Sequence, residues 1–452
     1  MDAALFPRDF RRDYPLAVRG DGVYVYDAQG KKYLDAGGSA GAVTIGYGVS
    51  AVVDAMAAQA RELPFVHSSQ FHTPVAEALA DHLRRQAPGT LAATSRVCFT
   101  SGGSEATETA LKLVRQYWIE RGQPSRYKVL SRWQSYHGST LGALALSGNQ
   151  RRRQSYGPLL PEFGHIAACY CYRCPLGLTF PSCQVACAEE LERTLAGDDA
   201  KTVAGFILEP IVGATTGAVP PEGYLKRIRE ICDRHDILLI ADEVMTGLGR
   251  TGKPWGVDHW DVVPDLILLG KGLGSGYAPL GAVLVAEKVW RAFEGGSGRF
   301  EHGYTYQAHP ISVAAGLAVQ QHLEEKNLIE LCRQRGEFFT ARLEKLRDLP
   351  AVGDVRGKGL LQTVELVADR TTRAPFPAEE KVAERVAEEM RARGILVYPM
   401  KGCADGWAGD HLFLAPPFVI TETELDRIGD ELYQTLRSTL RDAPRRAPCA
   451  SS

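Results

Sequence analysis

The 452-residue sequence lacks a long apolar stretch and an excess of either charge. Because no run of about 18 consecutive apolar residues occurs, a membrane-spanning helix is not expected. The 52 basic and 54 acidic residues leave a formal net charge of -2, which argues against nucleic acid or an acidic membrane surface as a partner. The first residues, MDAALFPRDFRRDYP, lack the apolar core of a secretory signal, so a cytoplasmic location is expected.

A recognisable metal-binding spacing is also missing, although the chain has ten cysteines. Five of them lie in CYCYRCPLGLTFPSCQVAC, residues 169–187, which contains no histidine. The spacing C-x-C-x2-C-x8-C-x3-C matches no standard zinc pattern, and cytosolic cysteines are more often free thiols than disulfides. We therefore predict no metal site and a surface excursion packed by Tyr170, Tyr172 and Phe180, with a metal-binding module as the alternative.

Strand-like and helix-like segments alternate along the chain from Arg96 onward. Hydrophobic residues make up 45% of the chain and charged residues 23%, as in ordinary globular proteins with a large core. The alternation predicts an α/β fold whose large domain, residues 62–320, contains a mostly parallel sheet. A smaller α+β domain is predicted for residues 1–61 and 321–440, and the Pro/Ala/Ser-rich residues 441–452 are predicted to be a disordered tail.

Polar side chains follow four of the predicted strands directly. The segment Ser101-Gly102-Gly103-Ser104 comes after RVCFT, Glu209 after VAGFIL, Asp242 after ILLIA and Lys271 after DLILLG. In open parallel sheets, ligands bind beyond the carboxyl ends of the strands. If the strands are parallel, these side chains converge on one edge of the sheet.

The segment TSGGSEATE places Gly102 and Gly103 where a long helix is predicted to begin. Free backbone N–H groups and the helix dipole make such a helix start an anion site, to which Ser104 adds a hydroxyl. The alternative is an ordinary helix start that is capped by Ser104.

Lys271 lies among glycines at positions 270, 272, 274 and 276, in GKGLGSG. The segment is neither a G-x4-G-K-[ST] loop nor a G-x-G-x-x-G fingerprint. A lysine on such a flexible backbone can enter a cleft and lose solvent, which lowers its pKa and allows it to form Schiff bases with carbonyls. The alternative is a solvated surface lysine.

Together these residues match the needs of pyridoxal 5'-phosphate. Its aldehyde reacts with a lysine such as Lys271, and its phosphate fits the helix start at Gly103. Its ring nitrogen needs a carboxylate, for which Asp242 at the end of an apolar strand is suited. Tyr136, in SYHGST, can stack on the ring.

Six segments form an ordered set: TSGGSEATETALKL, SYHGSTLGAL, ILEPIVG, ILLIADEVMTGLGRTGKPW, DLILLGKGLGSGYAPLGAV and HGYTYQAHP. In this order and spacing they resemble the class III pyridoxal-phosphate-dependent aminotransferases, which have the fold of aspartate aminotransferase, known as fold type I. The resemblance extends over about residues 20–440. It implies a transaminase with pyridoxal 5'-phosphate as its cofactor.

The resemblance also implies a role for each matching residue. Lys271 would bind the cofactor covalently and shuttle the proton, and Asp242 would pair with the pyridinium nitrogen. Because the family builds its sites across a dimer interface, Thr305 in GYTY would reach the phosphate of the neighbouring subunit, in a homodimer or a tetramer. The other implied contacts are Gly103 and Ser104 with the phosphate, Tyr136 with one ring face and His137 beside it, and Val244 with the opposite face.

Two positions depart from the family's pattern. Phe413, in LFLAPP, stands where many members have an arginine that binds the substrate carboxylate. Glu209, which pairs with that arginine in such members, would lose this partner. Gly41, flanked by Ala40 and Ala42, stands where a tryptophan or another large residue is common, which predicts a roomier pocket.

These departures favour a primary amine donor that lacks an α-carboxylate and is bulky. We expect a ping-pong reaction in which a keto acid, most simply pyruvate, accepts the amino group. The alternatives are an aminotransferase of ω-amino acids such as 4-aminobutyrate or ornithine, with another arginine or a mobile loop as the clamp, and a decarboxylase, racemase or aminomutase. A cofactor-binding protein without turnover is the remaining alternative, against which Lys271 and Asp242 argue.

Overall fold

The computed structural model describes residues 4–440, apart from the side chains of Asp198 and Asp199, and fifteen strands occur in this part of the chain. The strands are β1 (Ala17–Asp21), β2 (Tyr24–Asp27), β3 (Lys32–Asp35), β4 (Arg96–Thr100), β5 (Lys128–Arg132), β6 (His165–Ile166), β7 (Val203–Leu208), β8 (Leu238–Asp242), β9 (Leu266–Leu269), β10 (Gly281–Val285), β11 (Val352–Lys358), β12 (Leu361–Leu366), β13 (Ile395–Leu396), β14 (Tyr398–Lys401) and β15 (Asp410–Leu414).

Fourteen α-helices occur in the same residues, several of them single turns. The helices are α1 (Gly38–Gly41), α2 (Ser50–Glu62), α3 (Pro74–Gln86), α4 (Leu91–Thr94), α5 (Gly103–Glu120), α6 (Leu141–Leu146), α7 (Gln150–Arg153), α8 (Ala186–Leu195), α9 (Tyr224–Arg234), α10 (Glu287–Gly295), α11 (Pro310–Glu325), α12 (Leu328–Glu344), α13 (Val382–Ala392) and α14 (Glu422–Thr439). None of the helices in residues 4–440 is both long and apolar enough to cross a bilayer.

The central sheet has seven strands in the order β4-β10-β9-β8-β7-β5-β6. Strands β5 to β9 pair in parallel, whereas β10 runs antiparallel to both of its neighbours, β4 and β9. Two antiparallel pairings in succession give β4 the same direction as β9. The mostly parallel sheet predicted from the sequence is confirmed, and the carboxyl ends of β4, β7, β8 and β9 share one edge.

Both faces of the central sheet are covered, which explains its almost unbroken apolar strands. Along β8, Leu238 and Ile240 pack into a cluster with helix α5. Leu239 and Ala241 pack on the opposite face, in a cluster that contains Ile228 of α9. Every residue of β7, β8, β9 and β10 is buried, so the polar groups at the strand ends are the ones that can reach a ligand.

Two four-stranded sheets lie outside the central sheet, in the orders β1-β2-β3-β13 and β11-β12-β15-β14. In the first, β13 pairs in parallel with β3, so that residues from the two ends of the chain share one sheet. A separate hydrophobic cluster likewise joins Leu34 and Val52 to Leu366 and Leu432. The domain limits stay a prediction, and the predicted tail, residues 441–452, lies outside the described residues.

The cysteine-rich segment packs against the body of the protein through two of the three predicted aromatic residues. Tyr170 is buried and Tyr172 is half-buried, whereas Phe180 is 38% exposed. The nine cysteines of residues 4–440 are free thiols, and within this range no group of three or more ligand-type side chains is arranged to hold a metal ion.

Candidate active site

A cavity of about 450 Å³ opens at the edge where β4, β7, β8 and β9 end. It brings together most of the site residues predicted from the sequence: Gly103, Ser104, Tyr136, His137, Glu209, Asp242, Val244, Lys271 and Phe413. Gly41 and Thr305 do not line it. The structure therefore brings a lysine, two acids and a helix start together at one edge of the sheet, as expected from the sequence.

Lys271 follows Gly270 at the end of β9 and begins a short 3-10 turn. Its φ of 39° lies in the left-handed region, which costs a non-glycine residue about 1–3 kcal/mol and is typical of functional sites. Burial lowers the pKa of Lys271, opposed by Asp242 and Glu209 and reinforced by Arg152. A lowered pKa makes the neutral, nucleophilic amine more available.

Asp242 ends β8 and forms a buried pair with His137. Its Oδ2 lies 2.7 Å from His137 Nδ1, and its Oδ1 accepts the backbone N–H of Val244 at 3.1 Å. The other ring nitrogen of His137, Nε2, is buried and has no hydrogen-bond partner within residues 4–440. Such an atom in a cavity wall indicates that a bound group completes the site.

Helix α5 begins at Gly103, with Gly102 rather than Ser104 at its N-cap position and no side-chain cap. Ser104 Oγ instead accepts the backbone N–H of Ser139 at 3.1 Å. A Cβ at Gly103 would lie 2.9 Å from Val244 Cγ1, and a Cβ at Gly138, where φ is +138°, would lie 2.7 Å from Ser104 Oγ. The close packing excludes larger residues and leaves the uncapped helix start as an anion site.

The carboxylate of Glu209 is held by two backbone N–H groups, whereas Arg132 contacts this residue at its backbone carbonyl oxygen, at 2.6 Å. Its Oε1 accepts the N–H of Tyr136 at 3.0 Å, and its Oε2 accepts the N–H of Gly213 at 2.8 Å. Burial raises the pKa of Glu209 and nearby Asp242 adds to this, while His137 opposes it. Two backbone donors therefore satisfy the Glu209 carboxylate in a site where Phe413 stands at the position predicted for an arginine.

The opposite side of the cavity is aromatic. Phe413 of β15 and Tyr398 of β14 meet edge to face with ring centroids 6.4 Å apart, and both line the cavity. Gly41 lies beside this wall at φ +74°, but a Cβ there would lie 2.6 Å from Met245 Sδ and 3.6 Å from Phe413 Cζ. A side chain at Gly41 would thus meet the end of the Met245 side chain, and the roomier pocket predicted from Gly41 stays a prediction.

Thr305 is exposed and lies between α10 and α11. Its predicted contact with the phosphate in a neighbouring subunit stays a prediction.

Sequence reasoning missed Tyr398, Met245, Arg8 and Arg152, all of which line the cavity. Arg152 belongs to a run of three arginines, residues 151–153, whose charge is visible in the sequence. Which of the three faces the cavity depends on the one-turn helix α7 and could not be read from their order. The guanidinium carbon of Arg152 lies 4.6 Å from the centroid of the Tyr136 ring.

Residues 10–436 match the family model described as aminotransferase class-III. The chain is 41% identical, over 95% of its length and 96% of the relative's, to the uncharacterized aminotransferase YodT of Bacillus subtilis. It is 36% identical to the putrescine–pyruvate aminotransferase of Pseudomonas aeruginosa, with 91% of this chain and 88% of that protein covered.

Among solved structures, the chain is similar to a thermostable (S)-enantioselective omega-transaminase from Thermomicrobium roseum. The TM-score is 0.90 at 36% sequence identity, with 97% of this chain and 96% of that chain covered. A likeness of this extent covers the central sheet, both outer sheets and the cavity between them.

Proposed function

The chain belongs to the class III aminotransferases and has their fold type I, and from this premise we propose that it moves the amino group of a primary amine to a keto acid in a ping-pong reaction. We propose that the preferred donor lacks an α-carboxylate and that pyruvate is the acceptor. The observation that carries the donor proposal is Phe413, an apolar side chain in the wall of the cavity that holds Lys271.

The residues of the cavity fit pyridoxal 5'-phosphate as the cofactor. Lys271 offers an amine to its aldehyde, and the uncapped start of the 18-residue helix α5 offers N–H groups to its phosphate. Asp242 offers a carboxylate to its ring nitrogen, and His137 Nε2 is a buried polar atom that still lacks a partner. When bound, the cofactor supplies an electron sink for the donor's reacting carbon.

Lys271 is the residue that moves the proton. Burial lowers its pKa, so its Nζ can take a proton from the donor's carbon and return it to a neighbouring position. Nearby Asp242 and Glu209 limit this lowering, which keeps the protonated form within reach for the return step.

Asp242 and His137 act as a fixed pair beneath the site. With His137 Nδ1 donating to its Oδ2 at 2.7 Å, the carboxyl group of Asp242 is held in one orientation. A fixed buried carboxylate stabilises positive charge on a ring nitrogen, and no reorganisation is needed when the reaction occurs.

The donor proposal follows from what surrounds Phe413. A donor carboxylate against the rings of Phe413 and Tyr398 would lose its water without gaining an ionic partner. An alkyl or aryl group gains from burial at the same place. The named activity of the Pseudomonas aeruginosa relative, on putrescine and pyruvate, supports such a donor. The proposal concerns the missing carboxylate of the donor and not the size of the donor.

We propose that the active form is a homodimer, in which Thr305 reaches the site of the partner subunit. Exposed aromatic residues surround this segment in the single chain: Tyr306 is 61% exposed and Phe65 37%. The two rings meet at 5.7 Å, as part of an apolar surface that a second subunit would cover.

An absorbance titration tests the proposal. Enzyme supplied with pyridoxal 5'-phosphate is mixed with one donor at a time, namely putrescine, benzylamine, 4-aminobutyrate, ornithine and glutamate. We expect the carboxylate-free amines to bleach the visible cofactor band and pyruvate to restore it.

Three other results would each contradict a different part of the proposal. Bleaching by the amino acids alone would mean that a carboxylate clamp exists and that Phe413 does not set the donor. Donor consumption without any keto acid would point to a decarboxylase, racemase or aminomutase. A protein that acquires no cofactor band would contradict the enzyme assignment itself.

A further inference from the structure

We propose that Arg152 binds the carboxylate of the keto-acid acceptor, at a place separate from the wall formed by Phe413. This inference rests on the proposed function, since it names the group that recognises the second substrate. It would explain how one cavity takes a donor without a carboxylate and an acceptor that has one.

Arg152 is held at the cavity by the start of helix α7. The side chain of Asn149 caps this helix by accepting the backbone N–H of Arg152 at 3.2 Å. The guanidinium then lies over the Tyr136 ring, with its carbon 4.6 Å from the ring centroid. A guanidinium that lies over an aromatic ring keeps N–H donors that can bind an anion.

Within residues 4–440 the Arg152 side chain makes no hydrogen bond and no ion pair. The two acids of the cavity are engaged elsewhere, Glu209 by two backbone N–H groups and Asp242 by His137 and the N–H of Val244. A half-buried guanidinium that lines a cavity without a carboxylate partner is a ready site for a bidentate carboxylate.

The two neighbouring arginines are already in use. Arg151 is exposed and donates to the carbonyl oxygen of Trp407 at 3.2 Å. Arg153 donates to three carbonyl oxygens, including that of Ser147 at 3.1 Å. Of the run of three, only Arg152 lines the cavity.

A phosphate has the same recognition chemistry as a carboxylate, so the cofactor's phosphate is the competing ligand for Arg152. The helix start at Gly103 already offers free N–H groups for that phosphate. The positive charge of Arg152 helps to lower the pKa of Lys271. This effect agrees with a position of Arg152 near the reacting amine. We therefore assign the carboxylate to Arg152.

The test compares Arg152→Gln with the wild type, using two acceptors of nearly equal shape. Pyruvate has the carboxylate, and methyl pyruvate replaces it with a neutral ester. We expect kcat/KM for pyruvate to fall about 10- to 100-fold, as for the loss of a charged hydrogen-bond pair, and kcat/KM for methyl pyruvate to change about twofold or less. Arg152→Lys keeps the charge and should recover part of the loss. Arg151→Gln removes a positive charge from the neighbouring residue and should leave kcat/KM unchanged for both acceptors.

Two outcomes would overturn the inference. An equal loss with both acceptors would give Arg152 a structural role only. A weaker affinity for pyridoxal 5'-phosphate, with an unchanged ratio between the acceptors, would assign it to the phosphate.

Calorimetry distinguishes a failure of the Arg152 inference from a failure of the proposed function. Pyruvate is titrated into wild type and Arg152→Gln loaded with pyridoxamine 5'-phosphate, the form of the cofactor that an acceptor meets in a ping-pong reaction, without any added amine donor, so that no full turnover is needed. Weaker pyruvate binding by the variant supports the inference even if no donor is found, whereas equal binding overturns it.

Discussion

The cavity has two walls that are built in different ways. The polar wall, which contains Asp242 and Lys271, stands at the ends of two paired strands in the buried central sheet. The aromatic wall, which contains Tyr398 and Phe413, comes from strands of an outer sheet in which these two residues lie directly opposite each other. Hydrogen bonding between neighbouring strands of the central sheet fixes the position of the polar wall. The position of the aromatic wall depends on how the outer sheet packs against the central sheet.

This difference separates the chemistry from the choice of substrate. The polar wall places a nucleophile and a carboxylate that any reaction of this cofactor class needs. In our proposal, the aromatic wall and Arg152 decide which substrate groups can lie beside that nucleophile and carboxylate. Changes in the polar wall should therefore affect all substrates alike, and changes in the aromatic wall should affect one class at the expense of another.

Lys271→Ala gives the largest expected effect. The variant loses both the covalent attachment of the cofactor and the base that moves the proton, so turnover should fall by about 10⁴-fold or more for every donor and acceptor. Steady-state rates and the absorbance of the cofactor-loaded protein measure this. Cofactor is still expected to bind through its phosphate.

The matched control for this change is Lys226→Ala, which removes an exposed lysine from α9. It should keep wild-type rates and the wild-type spectrum. Normal turnover in Lys271→Ala would refute the mechanism.

Phe413→Arg should change the donor preference without abolishing the chemistry. The new guanidinium would stand in the cavity with Glu209 and could bind a donor carboxylate. We expect kcat/KM for 4-aminobutyrate to rise about 10-fold and that for benzylamine to fall by a similar factor, each a change of about 1.4 kcal/mol. Parallel assays with the two donors measure the ratio.

Phe413→Leu is the control that separates charge from shape. It keeps an apolar wall and should keep the preference for amines without a carboxylate. If both variants lose the two donors equally, the aromatic wall is needed only for packing, and our assignment of specificity to Phe413 is wrong.

The same contrast explains which parts of the molecule were predictable from the sequence. Strand ends followed by Glu209, Asp242 and Lys271 are local patterns, and a parallel sheet brings them to one edge without further information. Strand β10 was missed, because an apolar run after a glycine-rich turn gives no sign of its pairing or direction. Its antiparallel pairing nevertheless keeps β4, and hence Gly103, on the same edge.

The aromatic wall depends on contacts between segments that are far apart in the chain. The neighbour of Gly41 in the fold is Met245, about two hundred residues away in the chain, and nothing in the sequence indicated this contact. The sequence did not indicate which of the three consecutive arginines faces the cavity. The structure of the short helix α7 shows that it is Arg152. Such contacts are decided by side-chain packing in three dimensions, which the order of residues alone does not give.

His411 offers a smaller test, on the stability of the aromatic wall rather than on its chemistry. It lies on β15, two residues before Phe413, and its Nε2 donates to the carbonyl oxygen of Ala214 at 3.0 Å. Burial lowers its pKa to about 4, with a contribution from Arg356. As the pH falls below about 6.5, the unfolded chain therefore takes up a proton that folded His411 does not.

The stabilisation linked to neutral His411 is thus fully present above about pH 6.5 and is lost as the pH falls toward 4. Between pH 7 and pH 5 the loss should be about 2 kcal/mol. His411→Asn keeps an N–H donor but does not titrate. Between pH 7 and pH 5 its free energy of unfolding should therefore decrease by about 2 kcal/mol less than that of the wild type. Urea titrations at both pH values measure it, and His67→Asn, at an exposed position, is the control. An unchanged pH dependence in His411→Asn would contradict the assignment.

Arg8→Gln should give the smallest effect, and it sharpens the distinction between a built site and a nearby charge. Arg8 lines the same cavity as Arg152 but is exposed, whereas Arg152 is half-buried and its guanidinium lies over the Tyr136 ring. Water and salt screen an exposed charge, so kcat/KM for pyruvate should fall only about twofold, and the difference should vanish in high salt. Assays of Arg8→Gln and Arg152→Gln over a range of salt concentrations compare the two arginines, and only the Arg152 effect should persist. A salt-resistant loss of tenfold or more in Arg8→Gln would mean that the N-terminal segment, and not α7, provides the carboxylate site.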